Sequence, residues 1–326
     1  MIDLRTLHVF LMVTECGSFT LAAKRLEKTQ SAVSQTVRQL EDELGVVLID
    51  RASRPMALTP PGSILRDHAY RLLQDAGSIA GKVRGYGSGK VPEIRIGLVD
   101  SFAAAVGPAL MKILLDHAVN LTVWSGLTSN LADAFLQRKV DIIIGNDALE
   151  EVDGLDRHEI MSEPYLLLTP ASMAVDAAAV SLATLARNYP MICYNPHSFL
   201  GAQIARQLHR RNIRATRRVS VDTSDSLVAL VAAGIGWTST TPLCLLLGRP
   251  YLSRVTVTPF PGPRFLRRLT LVSRSGEYSA LAGRLARIAS HILATDVRTE
   301  LKQLIPWFED QVTIKIRHGG RKSSRS

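Results

Sequence analysis

The residues best suited to chemistry lie between Thr29 and Arg38, where TQSAVSQTVR sets hydroxyls, amides and one guanidinium along a short stretch. Val33, Val37, Leu40 and Leu44 recur at i, i+4, i+7 and i+11, one stripe of a helix. That stripe turns Gln30, Ser31, Ser34, Gln35 and Arg38 to the opposite side. Short polar groups near a helix start reach base edges or phosphates in a major groove, and Arg38 can grip a guanine or a phosphate with two parallel hydrogen bonds. The free amides of the first turn also point at anions. A solvated polar face, as on any helical bundle, is the competing reading of the same pattern.

The elements around this stretch are those needed to present it. Ser18 can cap a helix through TLAAKRLE, whose Ala22, Ala23 and Leu26 give a small apolar inner face. After a break at Lys28, Thr29 caps the next helix, and Gly45 is placed to end it. Small residues on the first helix let the second cross it closely, which predicts a helix-turn-helix. The segment VVLIDRASRPMALTPPG then reads as a strand, a turn carrying Arg51 and Arg54, and a second strand ending at Thr59. Such a wing sets cations beside the minor groove or backbone, although solvated loop arginines would look the same.

A long helix over residues 61–86 follows. Leu65, Ala69, Leu72, Ala76, Ile79 and Val83 recur at spacings of 4 and 3, the a/d seam of a coiled coil. So narrow a seam suits one partner helix, and a homodimer would set two reading helices on two half-sites. Packing on the chain's own second domain is the alternative.

The 326 residues suffice for two or three domains, and 46% hydrophobic with 21% charged content excludes global disorder and collagen. The net charge of +10 favours polyanionic partners but is spread widely: six arginines sit in 206–218, and the end of the chain is basic. Cys16, Cys193 and Cys244 are far apart and odd in number, so disulfides are not expected and a reducing cytoplasm is. The N-terminus lacks the pattern of a secretory signal. Ser226 to Gly248 carries no charge, yet its glycines, hydroxyl residues and Pro242 suit a buried helix and strand better than a membrane span.

From Glu93 onward, apolar strands alternate with helices, the signature of a mainly parallel α/β sheet. Strands are expected at Ile94–Leu98, Leu121–Trp124, Asp141–Ile144, Met191–Tyr194 and Val219–Val221. Polar residues follow their C-terminal ends, where open α/β sheets bind ligands. Ser101 and Thr223 could equally be helix caps, and His197 a surface histidine. The charge of a ligand is left open.

The run FLMVTECGSFTLAAKRLEKTQSAVSQTVRQLEDELGVVLIDR, followed by LTPPG, resembles the LysR-type transcriptional regulators, and VSVDTSDSLVALVAAGIGWTSTTP resembles their later part more loosely. Ser31 and Ile49 stand where that family often has proline and phenylalanine. The resemblance implies an α/β protein: a winged helix-turn-helix over 1–60, a linker and dimerisation helix over 61–88, and a two-lobed periplasmic-binding-protein-like effector domain over 91–300. Lobe 1 would span about 91–163 and 268–300, lobe 2 about 164–267, with a basic, disordered tail at 313–326. It implies that Thr29, Gln30, Ser31, Ser34, Gln35, Arg38, Arg51 and Arg54 meet DNA, and that Leu65, Ala69, Leu72, Ala76, Ile79 and Val83 join two copies. With the strand-end argument, it implies that Ser101, Phe102, Thr128, Asn146, His197, Ser198, Thr223 and Thr238 meet a small effector. Promoter duplex, an effector, further copies of the chain as a dimer of dimers, and RNA polymerase are the implied partners, with no membrane.

An enzyme is not expected. GSGK at 87–90 lacks the upstream glycine of a phosphate loop, and Ser162 stands where a zinc protease would need its second histidine. There is no GxSxG elbow, and the eight histidines are scattered without metal-ligand spacing, so no metal or cofactor is expected. A periplasmic solute-binding protein would not carry the N-terminal helices.

Overall fold

A computed structural model describes residues 2–53, 55–85, 91–147, 149–173, 181–263, 265–305, 307 and 312–315. The chain divides into two compact units, Met1–Pro92 and Glu93–Ser326.

The first unit contains α1 (Leu4–Cys16), α2 (Phe19–Arg25), α3 (Gln30–Leu44), β1 (Ile49–Asp50), β2 (Ala57–Leu58) and α4 (Pro60–Gly85). Each of the first three helices is capped by the side chain before it. Asp3 Oδ1 accepts from Thr6 N–H at 2.6 Å, Ser18 Oγ from Leu21 N–H at 3.4 Å, and Thr29 Oγ1 from Ala32 N–H at 3.2 Å. The left-handed residue in the turn between α2 and α3 is Glu27 (φ 53°), and Gly45 (φ 69°) ends α3. Phe10, Val13, Ala22, Val33 and Val37 are wholly withdrawn from water in one shared core. Burial of each large side chain stabilises the fold by about 1.5–3 kcal/mol.

The wing is two residue pairs long, Ile49 with Leu58 and Asp50 with Ala57. Thr59 ties it to α4: its Oγ1 donates to Val47 O at 2.6 Å and accepts from Gly62 N–H at 3.1 Å. A Cβ at position 62 would lie 2.0 Å from Leu48 O, so this close approach requires glycine.

The expected seam of α4 divides. Ala69 is fully buried in the unit's own core, and Leu65, Tyr70 and Leu73 pack against it, so Leu65 and Ala69 correct the expectation of a free dimer stripe. Leu72 (52% exposed) and Ile64 (63%) face water, while Ala76 is half-buried. The side chains of Ile79 and Val83 lie outside the described residues.

The second unit runs β3 (Val91–Val99), α5 (Asp100–Ala105), α6 (Gly107–Leu114), β4 (Ala118–Gly126), α7 (Thr128–Leu136), β5 (Ile142–Gly145), β6 (Leu155–Pro164) and β7 (Leu166–Pro170). It continues through α8 (Leu182–Asn188), β8 (Met191–Tyr194), α9 (Phe199–Arg210), β9 (Arg218–Val221), α10 (Ser224–Ala232), β10 (Thr238–Thr240) and α11 (Pro242–Leu245). The last elements are β11 (Val255–Pro259), β12 (Leu266–Arg274), α12 (Ser279–Ile292), α13 (Arg298–Leu304) and β13 (Thr313–Ile314).

Six strands form one sheet in the order β13-β6-β12-β5-β3-β4, and β10-β7-β11 and β8-β9 form two smaller ones. The sheets are mixed rather than mainly parallel: β3 and β5 are parallel, but β12 runs antiparallel to both β5 and β6. The chain passes from the large sheet to β7 at Tyr165 and returns between Pro259 and Leu266. The two passages are packed together by Tyr165 stacked on Phe265 at 3.9 Å, with Phe260 edge-on to Phe265 at 5.1 Å. The uncharged run near 226–248 becomes α10, β10 and α11 around the fully buried Trp237, and among the described residues no helix is long and apolar enough to cross a membrane. Residues 313–315, expected in a disordered tail, instead pair with β6, with Thr313 opposite Ser162 and Lys315 N–H donating to Ile160 O at 2.9 Å.

Candidate functional site

In the first unit, the stripe Val33, Val37 and Leu40 buries one side of α3 and leaves the other to solvent. Thr29, Gln30, Ser31, Gln35 and Arg38 are exposed and Ser34 is half-buried, so the polar row seen in the sequence is one continuous face. Thr29 Oγ1 and Ser31 Oγ share a hydrogen bond at 3.1 Å, which orders both hydroxyls at the helix start.

Arg51 departs from the expectation of a free wing-tip cation. Its Nη2 donates to Glu41 Oε2 at 2.8 Å, and its guanidinium lies 5.3 Å from the centre of the Phe19 ring. The other oxygen of Glu41 accepts from Leu48 N–H at 2.9 Å and Ile49 N–H at 3.2 Å. Glu41 therefore ties α3 to the base of the wing, a role its place on a polar helix face did not reveal. Arg54 lies outside the described residues.

In the second unit, strand ends and helix starts surround a cleft of about 210 Å³. Ser101, Thr128, Asn146, Ser198 and Thr223 line it. Arg267, which the sequence did not single out, lines its floor and is backed by a buried carboxylate: Arg267 Nη1 lies 3.1 Å from Glu163 Oε1, with side-chain exposures of 2% and 0%. The same nitrogen donates to Ser101 Oγ at 3.1 Å and Thr241 Oγ1 at 3.3 Å, while Arg267 Nε donates to Asn146 Oδ1 at 3.2 Å. Glu163 Oε2 accepts from Leu243 N–H at 3.0 Å. Burial pushes the Glu163 carboxyl up, and the Arg267 charge with the Leu243 and Thr241 hydrogen bonds opposes that shift without cancelling it.

The mouth of the cleft has the opposite character. Asp100, Asp222 and Asp225 are exposed there, and Arg267 is the one cation among the described lining residues. Asp222 Oδ1 accepts from Asn195 Nδ2 at 2.9 Å. The Thr223 hydroxyl and the Ser226 amide hold the Asp225 carboxyl below the usual carboxylate range. Ser198 caps α9, accepting from Gly201 N–H at 3.0 Å. A Cβ at position 201 would lie 2.2 Å from Asn195 O, so glycine lets this helix start close against the rim.

Three expected effector residues lie elsewhere. Phe102 is fully buried in the core, one position round α5 from Ser101. Thr238 is fully buried, with its Oγ1 donating to Ile192 O at 2.6 Å, and His197 is exposed outside the cleft lining. Ser101 is not a cap, since α5 begins at Asp100, and Thr223 precedes α10 with its hydroxyl bonded to Ser226 Oγ at 2.9 Å. Arg267 and Glu163 carried no distinguishing signal in the sequence, because β12 also holds Arg268 and Arg274 and β6 also holds Asp156, Arg157 and Glu159. No metal-binding group of His, Cys, Asp or Glu occurs among the described residues.

Residues 4–63 match the bacterial regulatory helix-turn-helix protein, lysR family, and residues 87–291 match the LysR substrate binding domain. A probable hydrogen peroxide-inducible genes activator of Mycobacterium avium is 27% identical over 296 residues, covering 87% of this chain and 93% of that protein. Among solved structures, a full-length OxyR from Pseudomonas aeruginosa matches with a TM-score of 0.66 at 20% identity, over 90% of this chain and 95% of that one. CbnR, a LysR family transcriptional regulator, matches at 0.63 and 20%, over 89% of this chain and 99% of that one. The chain belongs to the LysR family of DNA-binding transcriptional regulators, with an N-terminal helix-turn-helix and a C-terminal effector-binding domain.

Proposed function

We propose that this regulator answers to a small, positively charged effector, an amine or a quaternary ammonium compound, bound in the cleft between β3, β5, α9 and α10. The observation that carries this reading is the charge arrangement: the Arg267 guanidinium is matched by Glu163, while Asp100, Asp222 and Asp225 at the mouth have no cationic partner in the lining. An anionic effector would meet like charge on entry and an occupied cation at the floor. Ser101, Thr128, Asn146, Ser198 and Thr223 supply the polar contacts. Occupancy shifts the angle between the lobes about the Tyr165–Phe265 stack, and oligomer contacts carry the shift to the DNA-reading helices.

On the DNA side, Thr29, Gln30, Ser31, Ser34, Gln35 and Arg38 enter the major groove of a promoter in the cytoplasm. Two copies associate through the exposed side of α4 that carries Ile64 and Leu72, pairing two reading helices, and such dimers pair again. Regulation through RNA polymerase, rather than turnover of the effector, is the output.

The peroxide-inducible relative suggests oxidant sensing as the rival. Burial pushes the Cys193 thiol up, against the pull of Arg218, which disfavours the reactive thiolate there.

Thermal unfolding of the full chain against panels of amines, quaternary ammonium compounds and carboxylic acids tests the effector class, because a ligand of the folded state raises the melting temperature. A saturable rise with a cation, lost in Asp222→Asn/Asp225→Asn, is expected. Stabilisation by carboxylates alone contradicts it.

A further inference from the structure

The six arginines of 206–218 sort into two groups. Arg211 donates to the carbonyls of Pro261 and Pro263 and lies 5.3 Å from the centre of the Phe260 ring, while Arg217 Nη2 donates to Asn188 O at 3.4 Å. These two hold the fold. Arg206, Arg210, Arg214 and Arg218 instead line a single hollow of about 680 Å³, separate from the effector cleft.

The backbone brings these four together. Arg206 and Arg210 lie one turn apart on α9, and Asn212, in a left-handed conformation (φ 55°), turns the chain so that Arg214 lines the same hollow. Arg218 enters from the start of β9. All four are exposed, and none of their guanidinium groups forms a hydrogen bond or ion pair with a described residue. The sequence has no carboxylate between Asp176 and Asp222, so no local acid offsets them. The floor is apolar, with Leu208 4% exposed and Ile213 half-buried.

Four guanidinium groups around one hollow repel each other unless an anion lies between them. The dipole of α9 accounts for the cations of its last turn, His209 and Arg210, but not for Arg206, Arg214 or Arg218. Guanidinium is the group best matched to phosphate oxygens, which it binds through two parallel hydrogen bonds. A hollow of this size with an apolar floor suits a small molecule. We propose that this hollow is a second ligand site of the effector domain, taking a small, multiply charged phosphate compound such as a phosphoanhydride. Its ligand is opposite in charge to that of the cleft, so the regulator would read two classes of metabolite.

The test is calorimetric titration of the full chain with sodium tripolyphosphate at low ionic strength. Saturable binding is expected, weakened about tenfold or more by Arg210→Gln/Arg214→Gln and several-fold by Arg206→Gln alone, as befits loss of charge-assisted hydrogen bonds. Arg38→Ala should leave this binding unchanged, and melting temperatures of the exposed-arginine variants should match the parent. Absence of saturable binding overturns the proposal. So does loss of binding in Arg38→Ala with retention in Arg210→Gln/Arg214→Gln, which places the anion on α3. A random-sequence duplex provides the last arm: if its affinity falls as far as that of tripolyphosphate in Arg210→Gln/Arg214→Gln, the hollow is a nucleic-acid surface and not a small-molecule site.

Discussion

Arg267 Nη1 lies 3.1 Å from Glu163 Oε1 with both side chains almost wholly out of water, so the cleft of the second unit rests on a pair that neither partner can leave cheaply. Removing one partner strands the other charge in a poorly solvated site. Arg267→Met should destabilise the effector domain by about 3–5 kcal/mol in chemical denaturation. Glu163→Leu/Arg267→Met should recover most of that loss while abolishing the effector response, because Ser101 and Asn146 lose the donor that orders them.

Glu41 accepts two backbone amides of the wing and the Arg51 guanidinium. Glu41→Ala should cost about 2–3 kcal/mol of helix-turn-helix stability, since two N–H groups and a cation lose their acceptor. Glu41→Gln keeps an acceptor oxygen and should lose less. Thermal unfolding of the two variants separates them; equal losses would show that the amides do not depend on this side chain.

Glu277 joins Arg138 at 2.7 Å and Arg274 at 3.1 Å. Burial pushes its carboxyl up, but the Arg138 hydrogen bond and the Arg274 charge outweigh it and hold the group below its ordinary 4.5. The unfolded chain therefore takes up this proton first as pH falls. The stability contributed is present above pH 4.5 and is lost as pH drops through the lower folded value. Glu277→Gln should lower stability at neutral pH by about 1 kcal/mol and flatten the acid side of the stability curve. An unchanged acid slope would contradict the assignment.

Ala69 and Leu72 lie three residues apart on α4 with opposite surroundings, one fully buried in its own unit and one 52% exposed. Leu72→Glu should leave the melting temperature nearly unchanged and shift the chain toward monomer in analytical ultracentrifugation. Ala69→Glu should unfold the N-terminal unit instead. A Leu72→Glu chain that stays dimeric removes this face from the interface.

The reading helix was legible because its signals are local: Thr29, Gly45 and the Val33–Val37–Leu40 stripe all lie within one element. The cleft was legible only in part. Ser101, Thr128, Asn146, Ser198 and Thr223 follow from strand ends, but Phe102 points into the core because adjacent helical positions diverge by about 100°. Glu163 and Arg267, separated by 104 residues, meet only because β12 returns antiparallel beside β6, a pairing that no local pattern encodes. The α4 spacing was real yet ambiguous, since an apolar row with a period near 3.5 packs as well on the chain's own α1 as on a second copy.

The central claim is that the exposed face of α3 reads sequence in duplex DNA, and the most direct measurement compares the affinity of the full chain for its promoter fragment and for random duplex at one fixed salt concentration. For Arg38→Ala, the account predicts that the ratio of the two affinities falls by about tenfold, the effect of losing one base-contacting arginine, with dimerisation retained. An unchanged ratio in a folded, dimeric Arg38→Ala chain would contradict it.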